Sequence, residues 1–238
     1  FGHAFDSYPS PVRHIETAPL FVSYSDQGLN RLSMNFQRHS RDNVVVWTQG
    51  SLPRPIHYNC WEAIYFEHEP NILSEILELA ANIGAERFVL DDGWFGTRDD
   101  DTQSLGDWEI DPRKYPEGLG PLIAKANQYG MSFGIWFEPE MVNLNSKLYV
   151  KHPSWVLGPI DQVLGRNQLL LDMANPNVQE YLFKKISAIL TDHNVTYIKW
   201  DHNRVLPHVD AAQTYGTYEL MSRLRDKFPN VEIESCAS

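Results

Sequence analysis

The spacing of apolar and polar positions changes character near residue 53, and that change divides the chain. Before it, apolar residues form two short β-type runs, Phe21-Val22-Ser23-Tyr24 and Val44-Val45-Val46-Trp47, with an amphipathic helix expected over 30–41 between them. Pro53-Arg54-Pro55 then interrupts the pattern, because two prolines in three residues continue neither a helix nor a paired strand. A domain boundary is expected there, with residues 1–52 on one side and 53–238 on the other.

After Pro55, strand and helix periods alternate. Strands are expected over about 57–66, 87–92, 131–138, 197–201 and 231–236, and helices over 71–83, 119–129, 177–192 and 211–228. Gly84 and Gly130 stand where helices stop, and Asn175-Pro176 leads one in. One stretch departs from the rhythm: Trp155-Val156-Leu157-Gly158 and Gln168-Leu169-Leu170-Leu171-Asp172 have only a loop between them and predict a hairpin. Alternating strands and helices build a parallel sheet. An open doubly wound sheet is the alternative, but no glycine-rich phosphate loop follows the first strand. Acidic and aromatic residues gather instead at successive C-terminal strand ends, where a (β/α)₈ barrel assembles its site. The expected fold class is therefore α/β, a partial (β/α)₈ TIM barrel with about five of its eight strands.

Composition narrows the function classes. A hydrophobic share of 42% can fill a core, and no run reaches the about 18 to 20 apolar residues of a membrane span. A formal charge of -11 without a Lys/Arg cluster opposes a nucleic-acid partner. Cys60 and Cys236 form neither a metal spacing nor a disulfide framework. No signal segment is visible, and the cytoplasm is the expected compartment. The chain opens on Phe1 and stops at Ser238 just after an apolar strand, so both ends are expected to be cut from something longer.

The candidate chemistry centres on Tyr197-Ile198-Lys199-Trp200-Asp201-His202-Asn203-Arg204, where an apolar strand runs into ionisable groups. Strand geometry puts Lys199 and Asp201 on one face, about 6.6 Å apart. An ammonium there favours the ionised carboxylate, available as a nucleophile or as a stabiliser of a cationic transition state; a structural salt bridge is the alternative. Asp91 and Asp92 follow a buried strand and repel each other unless they meet a cation, a metal or several hydroxyls. Trp61, Trp94 and Trp136, at or near three strand ends, suggest an aromatic wall, although a core role fits each one singly. Glu138 and Glu140 suit a supporting role, and His202 a hydrogen-bonding wall position. Acids, indoles and one lysine describe a carbohydrate pocket, since a sugar stacks its apolar face on indole and offers its hydroxyls to carboxylates. A metal-dependent barrel hydrolase using Asp91, Asp92, Glu138 and Asp201 as oxygen ligands, and a non-catalytic sugar-binding module, are the other classes in play.

Seven motifs then carry a resemblance: Asn59-Cys60-Trp61-Glu62-Ala63, Arg87 through Leu90-Asp91-Asp92-Gly93-Trp94-Phe95-Gly96, Leu105-Gly106-Asp107-Trp108, Gly134-Ile135-Trp136-Phe137-Glu138-Pro139-Glu140-Met141, Gly165-Arg166-Asn167-Gln168, Lys199-Trp200-Asp201 and Glu234-Ser235-Cys236. In this order they resemble the α-galactosidases of glycoside hydrolase family 36, and residues before Pro53 resemble the end of that family's β-sandwich domain. The resemblance implies retaining hydrolysis of terminal α-linked galactose from raffinose- and melibiose-type oligosaccharides, without metal or organic cofactor, by a protein expected to be a homo-oligomer. It makes Asp201 the nucleophile and Lys199 a galactose-binding residue beside it. Asp91 and Asp92 become the pair that holds the O4 and O6 side of the ring, with Trp61, Trp136, Arg166, Asn203 and Cys236 lining the pocket. The family's general acid/base follows a motif downstream of Glu-Ser-Cys, so no residue here inherits that role and the chain alone is expected to be inactive. A relative that transfers galactose is the remaining alternative.

Overall fold

The structure, a computed structural model, describes residues 19–45, 53–159, 161–204 and 211–237. Contacts divide the chain between Pro53 and Arg54 into two units. In the first unit, α1 (Gly28–His39) runs into a π-helical turn, Ser40–Val44, closed by the Val45 N–H on the Ser40 carbonyl at 2.9 Å. The expected strand at residues 21–24 does not form: a β run without a partner has no ladder to make, and Val22 and Tyr24 are exposed. Phe21 packs against the His39 ring instead, at 4.9 Å between centroids, and Asn35 Nδ2 donates to Ser23 Oγ at 3.2 Å. Of the second expected run, Val44 closes the π turn and residues 46–47 lie outside the described ones. The described residues 19–45 therefore contain no strand of a β-sandwich.

The second unit comprises β1 (His57–Asn59), α2 (Trp61–Ile64), α3 (Pro70–Asn82), β2 (Arg87–Leu90), α4 (Gly120–Gln128), β3 (Ser132–Phe137), β4 (Met141–Asn143), α5 (Lys147–Lys151), β5 (Gln168–Leu170), α6 (Pro176–Asp192), β6 (Tyr197–Trp200), α7 (Ala211–Lys227) and β7 (Glu232–Ser235). Five strands form one parallel sheet in the order β1-β2-β3-β6-β7, with a helix in every connection, which is the partial (β/α)₈ barrel expected. Its helices form for ordinary reasons. In α3, Leu73, Leu77 and Ala80 recur at helical spacing and are buried. In α6, Asn175 caps the Asn177 N–H at 3.0 Å and Pro176 occupies the first turn, where its missing donor costs nothing.

Register decides what reaches the site. Val89, Gly134 and Tyr197 are successive ladder partners on one face of the sheet. A Cβ on Gly134 would lie 2.7 Å from Tyr197 Cδ1 and 3.2 Å from Val89 Cγ2, so only glycine admits the tyrosine ring beside it. Two residues further along, the same face carries Asp91, Trp136 and Lys199 to the C-terminal ends of their strands.

Two elements differ from expectation. The strand placed over 57–66 pairs only to Asn59, because Asn59 Oδ1 accepts the Trp61 N–H at 2.8 Å and turns the chain into α2. The hairpin over 155–172 is reduced to one bridge, Val156 to Leu171, because β5 makes its ladder with the unforeseen β4 instead. Among the described residues no helix is long and apolar enough to cross a membrane.

Candidate active site

Asp201 leaves β6 with its N–H on the Phe137 carbonyl at 2.8 Å, which fixes it at the end of the β3–β6 pair. Its carboxylate is 6% exposed and accepts from three neutral donors: Trp136 Nε1 at 3.0 Å and Asn203 Nδ2 at 2.8 Å on Oδ2, and the His202 N–H at 2.9 Å on Oδ1. Burial pushes the Asp201 carboxyl up, but these donors, with a smaller contribution from the Lys199 charge, hold it below the usual carboxylate range. Cys236, half-buried, is tied back through its N–H to the Trp200 carbonyl at 2.7 Å; burial and the Asp201 charge both raise its thiol.

Lys199 favours the ionised Asp201 through its charge, as its spacing suggests, but makes no salt bridge with it. Its direct partner is Asp91, with Nζ 2.9 Å from Oδ2, and not Asp201. Burial pulls the Lys199 ammonium down, and the Asp91 charge and hydrogen bond outweigh it, so it stays above its ordinary value. Asp91 also accepts from Asn59 Nδ2 and from the Asp92 N–H at 2.9 Å, while its own N–H points at Cys60 Sγ at 3.3 Å. Cys60 is fully enclosed and burial pushes its thiol up to about 12, so it serves as an uncharged acceptor rather than a nucleophile.

Asp92 is held differently again. Arg98 grips it with both arms, Nε on Oδ1 at 2.6 Å and Nη2 on Oδ2 at 2.8 Å, and Arg98 is itself 1% exposed. The guanidinium is completed by Nη1 on the Gln103 carbonyl at 2.8 Å and on Asn143 Oδ1 at 2.9 Å. Burial raises Asp92 despite the arginine. With Asp91 on a lysine and Asp92 on an arginine, the oxygen-ligand set considered from sequence does not converge: among the described residues no group of three or more His, Cys, Asp or Glu side chains forms a cation site.

The aromatic wall is also reapportioned. Trp94 is wholly buried, donates to the Trp136 carbonyl at 2.9 Å and packs on Phe95 and Phe137, so it belongs to the core. Trp136 lies parallel to Phe95 with Trp108 beside it, which leaves its indole N–H aimed at Asp201. Trp61 is half-buried and stands edge-on to Tyr65 and Phe66 at 5.2 and 5.0 Å. Arg166 is exposed on the β5 turn, where it and Asn167 take φ of 49° and 60° and the Gln168 N–H closes on the Gly165 carbonyl at 3.0 Å. It takes no part in the hydrogen bonds around Asp201.

Two glutamates lie behind the site. Glu138 is 1% exposed and accepts the Asn203 N–H at 2.6 Å and Gln168 Nε2 at 2.9 Å. Glu140 accepts from Trp200 Nε1 at 3.1 Å and Thr217 Oγ1 at 2.9 Å and faces His202 Nδ1 at 3.5 Å. Sequence reasoning missed Asn59, Arg98 and Gln168. Arg98 precedes Asp99-Asp100-Asp101, where an arginine looks like one more charge on a solvated loop. The structural clue is the opposite: two adjacent buried aspartates require cations from somewhere, and Arg98 is six residues away.

Comparison with known proteins places this geometry. A profile of the melibiase family matches residues 14–238. An α-galactosidase of Escherichia coli is 43% identical over 228 residues, covering 92% of this chain and 32% of its own. The crystal structure of the α-galactosidase AgaB from Geobacillus stearothermophilus superposes with a TM-score of 0.85 at 41% identity, over 90% of this chain and 32% of that one. A variant of AgaA from the same organism, solved in complex with raffinose, gives 0.84 at 40% identity, over 90% of this chain and 32% of that one. The chain thus spans about a third of the length of the curated relatives it matches.

Proposed function

The chain belongs to the melibiase family, and from that premise we propose that it carries the nucleophile and the galactose-holding groups of a retaining α-galactosidase acting on raffinose-type oligosaccharides. The observation that carries the reading is the Asp201 carboxylate, ionised and held by three neutral donors at the mouth of parallel strands. Asp201 Oδ attacks the anomeric carbon as the bond to the leaving oxygen breaks, giving a galactosyl ester. Water then attacks the same carbon and frees the carboxylate, so two inversions retain configuration. Lys199 and Asp91 form a donor–acceptor pair suited to adjacent ring hydroxyls, and Trp61 offers an indole for the apolar face. Arg166 would reach the sugar from its turn, and Cys236 would line the wall beside Asp201. The raffinose and stachyose complexes of relatives support the substrate class.

A retaining mechanism needs a second carboxyl about 5 to 5.5 Å from the nucleophile, to protonate the leaving oxygen and later deprotonate water. Glu140 and Asp107, the first candidates in this chain, are both committed. Asp107 accepts the Lys147 and Leu148 N–H groups at 2.8 and 2.9 Å, and Glu140 is bound by Trp200 and Thr217. We assign the acid/base to sequence outside these residues, so that the 238-residue chain alone leaves raffinose intact. A galactosyl fluoride needs no protonation to depart and should still label Asp201. The test is incubation with that fluoride followed by peptide mass mapping. Label on the Asp201 peptide supports the reading, and sugar binding without label would make the chain a galactose-binding module.

A further inference from the structure

Behind Asp201 lies a buried relay that the proposed mechanism does not use. Asn203 Nδ2 donates to Asp201 Oδ2 at 2.8 Å, while the same residue's backbone N–H donates to Glu138 Oε1 at 2.6 Å. Glu138 Oε2 in turn accepts from Gln168 Nε2 at 2.9 Å. Among the described residues Glu138 has no cation for a hydrogen-bond partner, unlike Asp91 and Asp92. Gln168 is 1% exposed and its Oε1 is buried without a partner among the described residues, an arrangement that is ordinarily unfavourable and calls for a reason.

We propose that Glu138 is a positioning residue for Asp201, acting through Asn203, and that it takes a proton from solvent while Asp201 is a free carboxylate and returns it when Asp201 becomes the galactosyl ester. The Gln168 amide makes this possible. As it stands, Nε2 donates to an ionised Glu138; turned by half a revolution, Oε1 accepts the O–H of a protonated one. Among the described residues the other end of the amide has no partner to favour either orientation, so the protonation state of Glu138 decides between them. In both states Glu138 Oε1 still accepts the Asn203 N–H, and the hold on Asp201 is kept.

The charges around Glu138 point the same way. Asp201 and His202 face it from the end of β6, and Asp92 with Arg98 from the loop after β2; β5 presents the neutral Gln168, and Arg204 is turned to the Gln168 carbonyl. Asp92 and Arg98 form an ion pair, which leaves Asp201 as the principal uncompensated charge. Burial, with Asp201 adding to it, pushes Glu138 up to about 7. Galactosylation removes the Asp201 charge, and the proton on Glu138 then leaves.

The inference rests on Asp201 being the nucleophile, and the experiment separates the two. Infrared difference spectra across pH 5 to 9 on the purified protein should show one protonated-carboxyl band titrating near neutrality, absent in Glu138→Gln. Galactosyl fluoride forms the C1–Oδ bond and releases fluoride with its electron pair, a step that neither takes up nor frees a proton. A pH indicator in weak buffer near pH 7 should therefore record a fraction of a proton released per labelled wild-type chain and none from Glu138→Gln. Absence of the band, or equal proton release from both proteins, overturns the inference while leaving the labelled nucleophile in place. Failure to label Asp201 at all sinks the functional reading and this inference with it. If Glu138→Gln does not fold, Gln168→Leu removes the amide's bond from both forms, and because the bond to the carboxylate is the stronger of the two the midpoint should move up; an unmoved midpoint overturns the role of the pair.

Discussion

The carboxylates at the end of β2 and the one at the end of β6 are buried to similar extents and held in opposite ways. Asp91 and Asp92 each answer to a full cation, Lys199 and Arg98, whereas the direct partners of Asp201 among the described residues are neutral: an indole, an amide, a backbone N–H and the Cys236 thiol. On the proposed roles, the difference follows from what each charge must do. A carboxylate that orients hydroxyls keeps its charge throughout, so an ion pair costs it nothing later. A nucleophile surrenders its charge when it becomes an ester, and a cation bonded to it would resist that loss by several kcal/mol in a buried site. Neutral donors keep Asp201 ionised and aimed while giving it up more readily.

The largest expected effect removes the proposed nucleophile from this comparison. Asp201→Asn keeps one acceptor oxygen, for Trp136 and Asn203, and the shape of the site but cannot form the ester, so in protein that turns over an aryl α-galactoside kcat should fall by about 10⁴-fold or more with galactose affinity largely retained. Steady-state kinetics beside calorimetric titration with galactose would show it; near wild-type turnover would move the nucleophile elsewhere.

Next in size is the cation under Asp92. Arg98→Met strands a buried carboxylate and should cost about 3–5 kcal/mol of stability at neutral pH. Asp92 is already raised by burial, so without Arg98 it rises further. A raised carboxyl carries its penalty only where the unfolded chain is ionised; the loss should be small near pH 4 and deepen toward pH 7. Denaturant unfolding at the two pH values measures it, and an equal loss at both would mean that packing, not charge, is what Arg98 supplies.

These partners also mark what the sequence could and could not reveal. Strands ending in Leu90, Phe137 and Trp200 were legible because strand and helix periods are local, and so was the arrival of Asp91, Glu138 and Asp201 at their ends. Pairing across the sheet was not. Lys199 is two residues from Asp201 but bonds to Asp91, 108 residues away, because register sets Asp91, Trp136 and Lys199 in one row across β2, β3 and β6 and the lysine reaches over the intervening strand. The short β4 escaped notice for a related reason: Met141, Val142 and Asn143 are a strand only because β5 returns to pair with them. Residues 21–24 make the converse case, β-type in composition and without a ladder.

A third prediction sharpens the comparison with Glu138, which is 1% exposed and has no cation for a hydrogen-bond partner among the described residues. Its carboxyl lies at about 7 in the fold against an ordinary 4.5, so the unfolded chain loses its proton first as pH rises. Between those values the native state holds the extra proton and stability falls with pH, by roughly 3 kcal/mol at most across the window. Glu138→Gln should match wild type near pH 4.5 and exceed it above pH 7, because the substituted amide presents an oxygen to Asn203 and an N–H to Gln168 Oε1 without a charge. Parallel stability curves for the two proteins from pH 4.5 to pH 8 would contradict it.

The smallest effect tests the neutral donors themselves. Trp136→Phe removes the indole N–H on Asp201 Oδ2 and leaves an apolar ring against Phe95 and Trp108. Two consequences separate by pH. The lost indole volume costs the same at every pH, whereas the lost hydrogen bond to a carboxylate is felt only where Asp201 is ionised. Asp201 lies below its ordinary value in the fold, so its contribution to stability is present above the unfolded value and disappears as pH falls through the folded one. Without the indole donor the folded value should rise, and the lost hydrogen bond to the carboxylate should cost about 1.5 kcal/mol of the neutral-pH stability. The acid limb of galactosyl fluoride labelling should move up with it, toward neutrality. Asn203 and the His202 N–H remain in place, so the shift should stop short of inactivating the site. An acid limb that stays put while overall stability drops would show that Trp136 only packs, and that the ionised state of Asp201 depends on the Lys199 charge more than on its neutral neighbours.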